Sequence, residues 1–484
     1  MPSVKKNFSY NLILTLCGYI FPLITYPYIS RVLGVQNIGV CNFVDSIINY
    51  FVLFSMMGVG SYGVREIARV REDKTQRNYV FSNLLTFNLL TTVLAVMVLL
   101  VCTFTIPKLS EYKDFLLVGV AKLIFNVFLI EWFYQGIQDF KYITIRSLIV
   151  RIVYVALVFI LVHNSEDVLI YFSLTVVTTV INAGINWLHS KKLVHYSIKG
   201  LKLKIFIVPI VTFGYYRILT SMYTTFNTVF LGFSSGDIEV GYFATATKLY
   251  AIIMSVLTAF TTVMVPRVAE LLHKGEIKQL QRIANQTLSI ISCMSIPIIL
   301  YCLFCAGDVI RLIAGAGYEG AIAPFRIVIF LLLIIGTEQI LIQQFLMASV
   351  RNTPILIVST VGAVVGITLN IVLTPKLGSM GSAISWGTSE LCVLLCGALL
   401  VKKNIGVTVS AGGYLKDILW SLLYVVPLYI ISKHNFSMWS NLIVSGIAVI
   451  FVFIIINLFL HKNETVRGLL TDARRAMSGI RVNK

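Results

Sequence analysis

Residues 205–232 read IFIVPIVTFGYYRILTSMYTTFNTVFLG. The stretch is apolar over a length sufficient for a bilayer, since about 20 such residues span ~30 Å of hydrocarbon. A basic loop precedes it, carrying Lys191, Lys192, Lys199, Lys202 and Lys204. Roughly halfway along stands Arg217, flanked by Tyr215, Tyr216, Ser221 and Asn227. A guanidinium at that depth costs at least ~2.5 kcal/mol on insertion scales. Arg217 is therefore expected to face a hydrated cavity rather than lipid.

The rest of the chain is of the same kind. Of its 484 residues 57% are hydrophobic and 12% charged, and the mean hydropathy is +0.87. Soluble domains are about 25% charged, so the composition points to a polytopic membrane protein. Fourteen apolar segments are read near 8–30, 40–63, 80–106, 115–135, 143–163, 168–188, 205–232, 240–265, 285–306, 323–349, 353–374, 379–401, 414–432 and 438–460. Their lengths suit helices, and the ~10-residue alternating strands of an outer-membrane barrel are missing. Lys5 and Lys6 precede an apolar run that continues to Ser30 with no small-residue cleavage site, so the run reads as a first membrane helix.

Charge sets the orientation. Of the 39 Lys and Arg, 28 fall at the N-terminus, in alternate loops, at the start of the thirteenth segment (Lys416) and in the tail, and six in the opposite loops. By the positive-inside rule both termini are cytoplasmic, and the net charge of +18 needs no nucleic acid. No loop is long enough for a catalytic domain, and no phosphate-binding G-x-x-x-x-G-K-[ST] loop occurs. The eight cysteines read as packing thiols and the six histidines lie in loops or at helix ends, so no metal site or cofactor is expected.

An internal echo divides the chain. LGVQNIGVCNF (33–43) and LGFSSGDIEVGYF (231–243) lie about 200 residues, or six helices, apart. The expected organisation is an all-α membrane protein of 14 transmembrane helices: an N-lobe of six (1–190), a basic loop (191–204), a C-lobe of six (205–402), two further helices (403–460) and a basic tail (461–484). Candidate cavity residues are the cations and amide placed within or at the mouth of segments: Arg31, Lys122, Asn126, Arg217 and Lys248. Glu338 and Glu390 are candidates for ion coupling or for salt bridges with Arg217 or Lys248, and Glu131 for a pair with Arg151. Cations outnumber acids inside the segments, which suits an anionic cargo, and arginine's planar fork suits phosphate.

Several stretches carry a family resemblance: YPYISRVLGVQNIGVCNF (26–43), GVGSYGVREIARVREDK (58–74), EWFYQGIQDFKYITIRS (131–147), VGYFATATKLY (240–250) and FLMASVRNTPILIVS (345–359). They resemble the Wzx-type polysaccharide-repeat flippases, of the superfamily that includes MATE-type multidrug extruders and the lipid II flippase. The resemblance implies two six-helix lobes that open alternately around a cationic cavity. It implies a cargo of oligosaccharide repeats on undecaprenyl diphosphate, moved from the cytoplasmic to the periplasmic leaflet of the bacterial inner membrane. A polysaccharide polymerase and a chain-length regulator are the candidate protein partners, beside membrane lipids. The competing readings are a cation-coupled drug exporter of the same fold, for which acidic residues would dominate the cavity, and an integral-membrane polymerase or glycosyltransferase, for which a large outer loop would be needed.

Overall fold

The computed structural model describes residues 4–346, 353–408, 411–434 and 436–457; the basic tail read at 461–484 and Arg351 lie outside them. Among the described residues all regular structure is helical. Eleven helices among those residues are long and apolar enough to cross a membrane, which makes the chain a multi-pass membrane protein. The described residues of the fourteen apolar segments fall mainly on helices, the first two segments within Val4–Met56 and the eleventh and twelfth within Thr353–Ile405. Two helices, Val4–Met56 and Thr353–Ile405, are 53 residues long, about 80 Å at 1.5 Å per residue. Each breaks at a glycine of positive φ, Gly34 (75°) and Gly378 (55°), leaving arms that each exceed one crossing. Of the echoed Leu-Gly pairs, only the first turns the chain. Gly232 stays helical against the Phe43 ring, and the turn passes to Gly236 (φ 87°).

The first helices, up to Ser190, meet those after Leu203 along two seams made by glycine. At one, a Cβ on Gly39 would overlap the carbonyl oxygen of Asp237, and one on Gly241 that of Val35. Helices Val4–Met56 and Asp237–Lys274 thus touch backbone to backbone, the close approach that small residues allow in membranes. At the other, Gly58 meets the carbonyl of Ile210, and Gly214 meets Met57 and Gly58. The basic loop expected between the lobes is tied along helix Lys74–Thr105. Arg77 Nη2 donates to the Leu193 carbonyl (2.7 Å), and the backbone N–H groups of His195, Ser197 and Lys202 donate to Asn78, Ser82 and Asn83. Helix Leu203–Ser221 therefore starts from a point fixed on the first half of the chain.

Overpacking a tight contact costs about 1–3 kcal/mol. Gly39→Val is accordingly expected to lower the melting temperature in detergent. Gly184→Ala, at a position with nothing within 4 Å, is the control expected to melt with wild type in a thermal size-exclusion assay.

Candidate functional site

The stretch 205–232 is not one helix. It runs as Leu203–Ser221, breaks at Met222–Thr224 and resumes as Thr225–Ser234. Arg217 stands one turn before the break. Two further helices break beside it: one turns through Met57 (φ 42°) into Val59–Arg69, the other through Ile130 (φ 36°) into Glu131–Gly136. Discontinuous helices of this kind are how membrane transporters bring backbone polar groups to a binding site.

Two cavities, of about 430 and 500 Å³, adjoin here and share Arg217 and Met56. The first is walled by Asn49, Tyr50, Tyr216 and Ser221, the second by Gly60, Ser61, Asn126, Glu131 and Gln135. A Cβ on Gly60 would lie 3.6 Å from Arg217 Nη1. The guanidinium thus sits over the first turn of Val59–Arg69, whose N-terminus has no side-chain cap. Free N–H groups and the positive end of that helix dipole therefore reinforce the arginine. Among the described residues Arg217 makes no ion pair and no hydrogen bond. Asn126 adds a buried Nδ2 without an acceptor. The arrangement offers converging donors to an anion.

The other candidates are occupied. Lys122 Nζ binds Asp45 Oδ1 at 2.5 Å and Asn49 Oδ1 at 3.0 Å, with Asn49 donating to Asp45 in turn. Lys122 thus reaches the first cavity only through Asn49. Lys248 Nζ lies 4.3 Å from the Tyr26 ring centroid, and the Tyr26 hydroxyl shares a 2.6 Å hydrogen bond with Thr245. Arg31 is bound to three carbonyls: Pro27 (2.5 Å), Leu312 (2.5 Å) and Ile313 (3.2 Å). The last two belong to the C-terminal turn of helix Ala306–Ala314, where a cation meets the negative end of the helix dipole. Nearby, the Tyr112 hydroxyl donates to Asp237 (2.7 Å) and accepts from Lys108 (3.0 Å). That hydroxyl and Glu111 hold the Lys108 ammonium above its ordinary range.

The acids differ from the sequence expectation. Glu131 pairs with Arg146 (2.7 Å) rather than with Arg151. Trp386 Nε1 donates to Glu390 at 2.9 Å, and Glu338 carries a buried Oε2 without a donor. Among the described residues neither forms a salt bridge with Arg217 or Lys248.

Residues 4–272, more than half the chain, match the family model described as polysaccharide biosynthesis protein. The chain belongs to that family. A second model, MatE, matches residues 215–372. Within this polysaccharide-biosynthesis family resemblance, a candidate O-antigen transporter of Escherichia coli (strain K12) is 23% identical over 410 residues, covering 83% of this chain and 97% of that one. The lipid II flippase MurJ in an inward closed conformation superposes with a TM-score of 0.77 at 16% identity, over 95% of this chain and 99% of that chain. An outward-facing MATE family transporter of the MOP superfamily gives 0.58 at 15% identity, over 83% and 96%. The all-α Wzx-type membrane fold that the sequence suggests is the fold of this family member.

Asp45 and Arg146 carry no sequence signal of their roles, since Asp45 lies 77 residues from its lysine and Arg146 reads as one more loop cation. The contacts predict a division between the two arginines. Arg31→Ala removes charge-assisted bonds of ~1.5–3 kcal/mol each and is expected to lower the melting temperature in detergent. Arg217→Ala, which removes none, is expected to leave it unchanged.

Proposed function

We propose that this protein is a flippase that moves oligosaccharide repeat units linked to undecaprenyl diphosphate from the cytoplasmic to the periplasmic leaflet, for surface polysaccharide biosynthesis. The observation that carries the proposal is Arg217, free of ion pairs among the described residues, where two cavities meet over an uncapped helix N-terminus. Family membership and the O-antigen transporter relative support the cargo class. In this reading Arg217, Asn126 and the first turn of Val59–Arg69 hold the diphosphate, and tyrosines and amides meet sugar hydroxyls. Lys122, neutralised by Asp45, and Arg31 are structural cations, and Lys248 is held against the Tyr26 ring.

Residues 1–190 and 205–402 act as the two lobes, joined by the loop tied along Lys74–Thr105. Both termini lie in the cytoplasm of a bacterial cell, and the chain is a transporter without catalytic activity, serving a separate polymerase and chain-length regulator. Rocking of the lobes exposes the head group to either side in turn. An inside-negative potential favours outward movement of an anion by ~2.3 kcal/mol per charge per 100 mV. Glu338, with its buried Oε2, and Glu390, buried beside Trp386, are the candidates for ion coupling. The multidrug-exporter reading is weaker, because an unpaired arginine repels the cationic drugs that such a cavity would take.

The reading predicts that Arg217→Ala, at wild-type membrane levels, reduces surface polysaccharide in a flippase-deletion strain by roughly tenfold or more, the worth of one charge-assisted phosphate contact. Arg217→Lys should retain part of the activity. Full complementation by Arg217→Ala would remove the diphosphate role.

A further inference from the structure

Arg146 stands on helix Phe140–Leu161 with its side chain 3% exposed. Its Nη2 donates to Glu131 and to Ser147 Oγ (2.8 Å), while Nε and Nη1 are buried without an acceptor. Burying two such donors is costly, so the site calls for an acceptor from outside the chain.

A groove of about 390 Å³ opens beside it. Ile145, Ile149, Val150 and Ile185 form its apolar walls, Arg146 lies in its lining, and Asp139, Lys141 and Tyr142 stand at one end. Asp139 is engaged as the helix N-cap, accepting from the Tyr142 N–H (3.3 Å), and the Tyr142 hydroxyl donates to the Ile185 carbonyl (3.2 Å). Lys141 forms no ion pair among the described residues. From Asp139 to Val150 the helix rises about 16 Å at 1.5 Å per residue, roughly half the ~30 Å of hydrocarbon. The groove is one leaflet long.

Ile145 and Ile149 are exposed on the outer surface of the helices, where a membrane protein meets acyl chains rather than water. Hydrocarbon suits the isoleucines but leaves Arg146 unsatisfied. A phosphate answers both it and Lys141, since the guanidinium fork fits phosphate oxygens, and basic pockets between membrane helices bind anionic head groups. We infer that this groove binds one anionic phospholipid, with an acyl chain along Ile145, Ile149 and Ile185 and the phosphate between Lys141 and Arg146. The site is separate from the Arg217 cavities and independent of what they carry. The two are linked only through Glu131, which pairs with Arg146 and lines the second cavity.

The test is native mass spectrometry of the full chain released from membranes containing equal phosphatidylglycerol and phosphatidylcholine. Wild type is expected to retain one phosphatidylglycerol, preferred roughly tenfold over phosphatidylcholine. Ile149→Trp fills the groove from its exposed side and Lys141→Ala removes the rim charge, and each is expected to cut that adduct several-fold without changing the melting temperature. Equal adducts in wild type and Ile149→Trp would overturn the site, as would displacement of phosphatidylglycerol by equimolar undecaprenyl phosphate, which would make the prenyl carrier the occupant.

Discussion

A charge carried into hydrocarbon must find a partner or stay wet, and this one constraint sorts the ionisable residues of the chain. Lys122 finds Asp45, Arg146 finds Glu131, and Arg31 finds the carbonyls at a helix end. Glu390 finds the Trp386 indole N–H. Arg217, like Arg151 and Lys248, has no ion pair among the described residues, but it alone of the three stands in the lining where two cavities adjoin. The site is thus defined as much by what its neighbours have neutralised as by the residues that line it.

The helices were legible because twenty apolar residues in a row admit few other readings. The breaks within them were not. Ile130 and Met57 adopt left-handed backbone that sequence rules assign to glycine, so neither advertises a turn. Both stand at the cavity, where a strained turn redirects a helix end toward Arg217. Gly34 and Gly378 were readable as turn residues in principle, whereas Gly232 of the echoed Leu-Gly pair serves close packing against Phe43.

Within the site, Arg217 could be singled out from depth alone, because its cost depends on burial and not on any partner. The occupied cations could not be set aside in the same way. The partners of Lys122 and Arg31 come from other helices, Asp45 and the carbonyls of Leu312 and Ile313. Pairing is a property of how helices are arranged, which a list of segments does not contain.

The seam at Gly39 and Gly241 has a mechanical meaning. Most helix pairs interlock, with side-chain ridges seated in grooves, and turning one against the other means lifting those ridges out. Here the backbones of Val4–Met56 and Asp237–Lys274 meet with no side chain between them at the point of closest approach. That point has no teeth, and the side chains that join the same two helices, Tyr26 with Thr245 and Lys248, stand further along. A glycine contact of this kind lets two helices change their crossing angle at that point with little repacking.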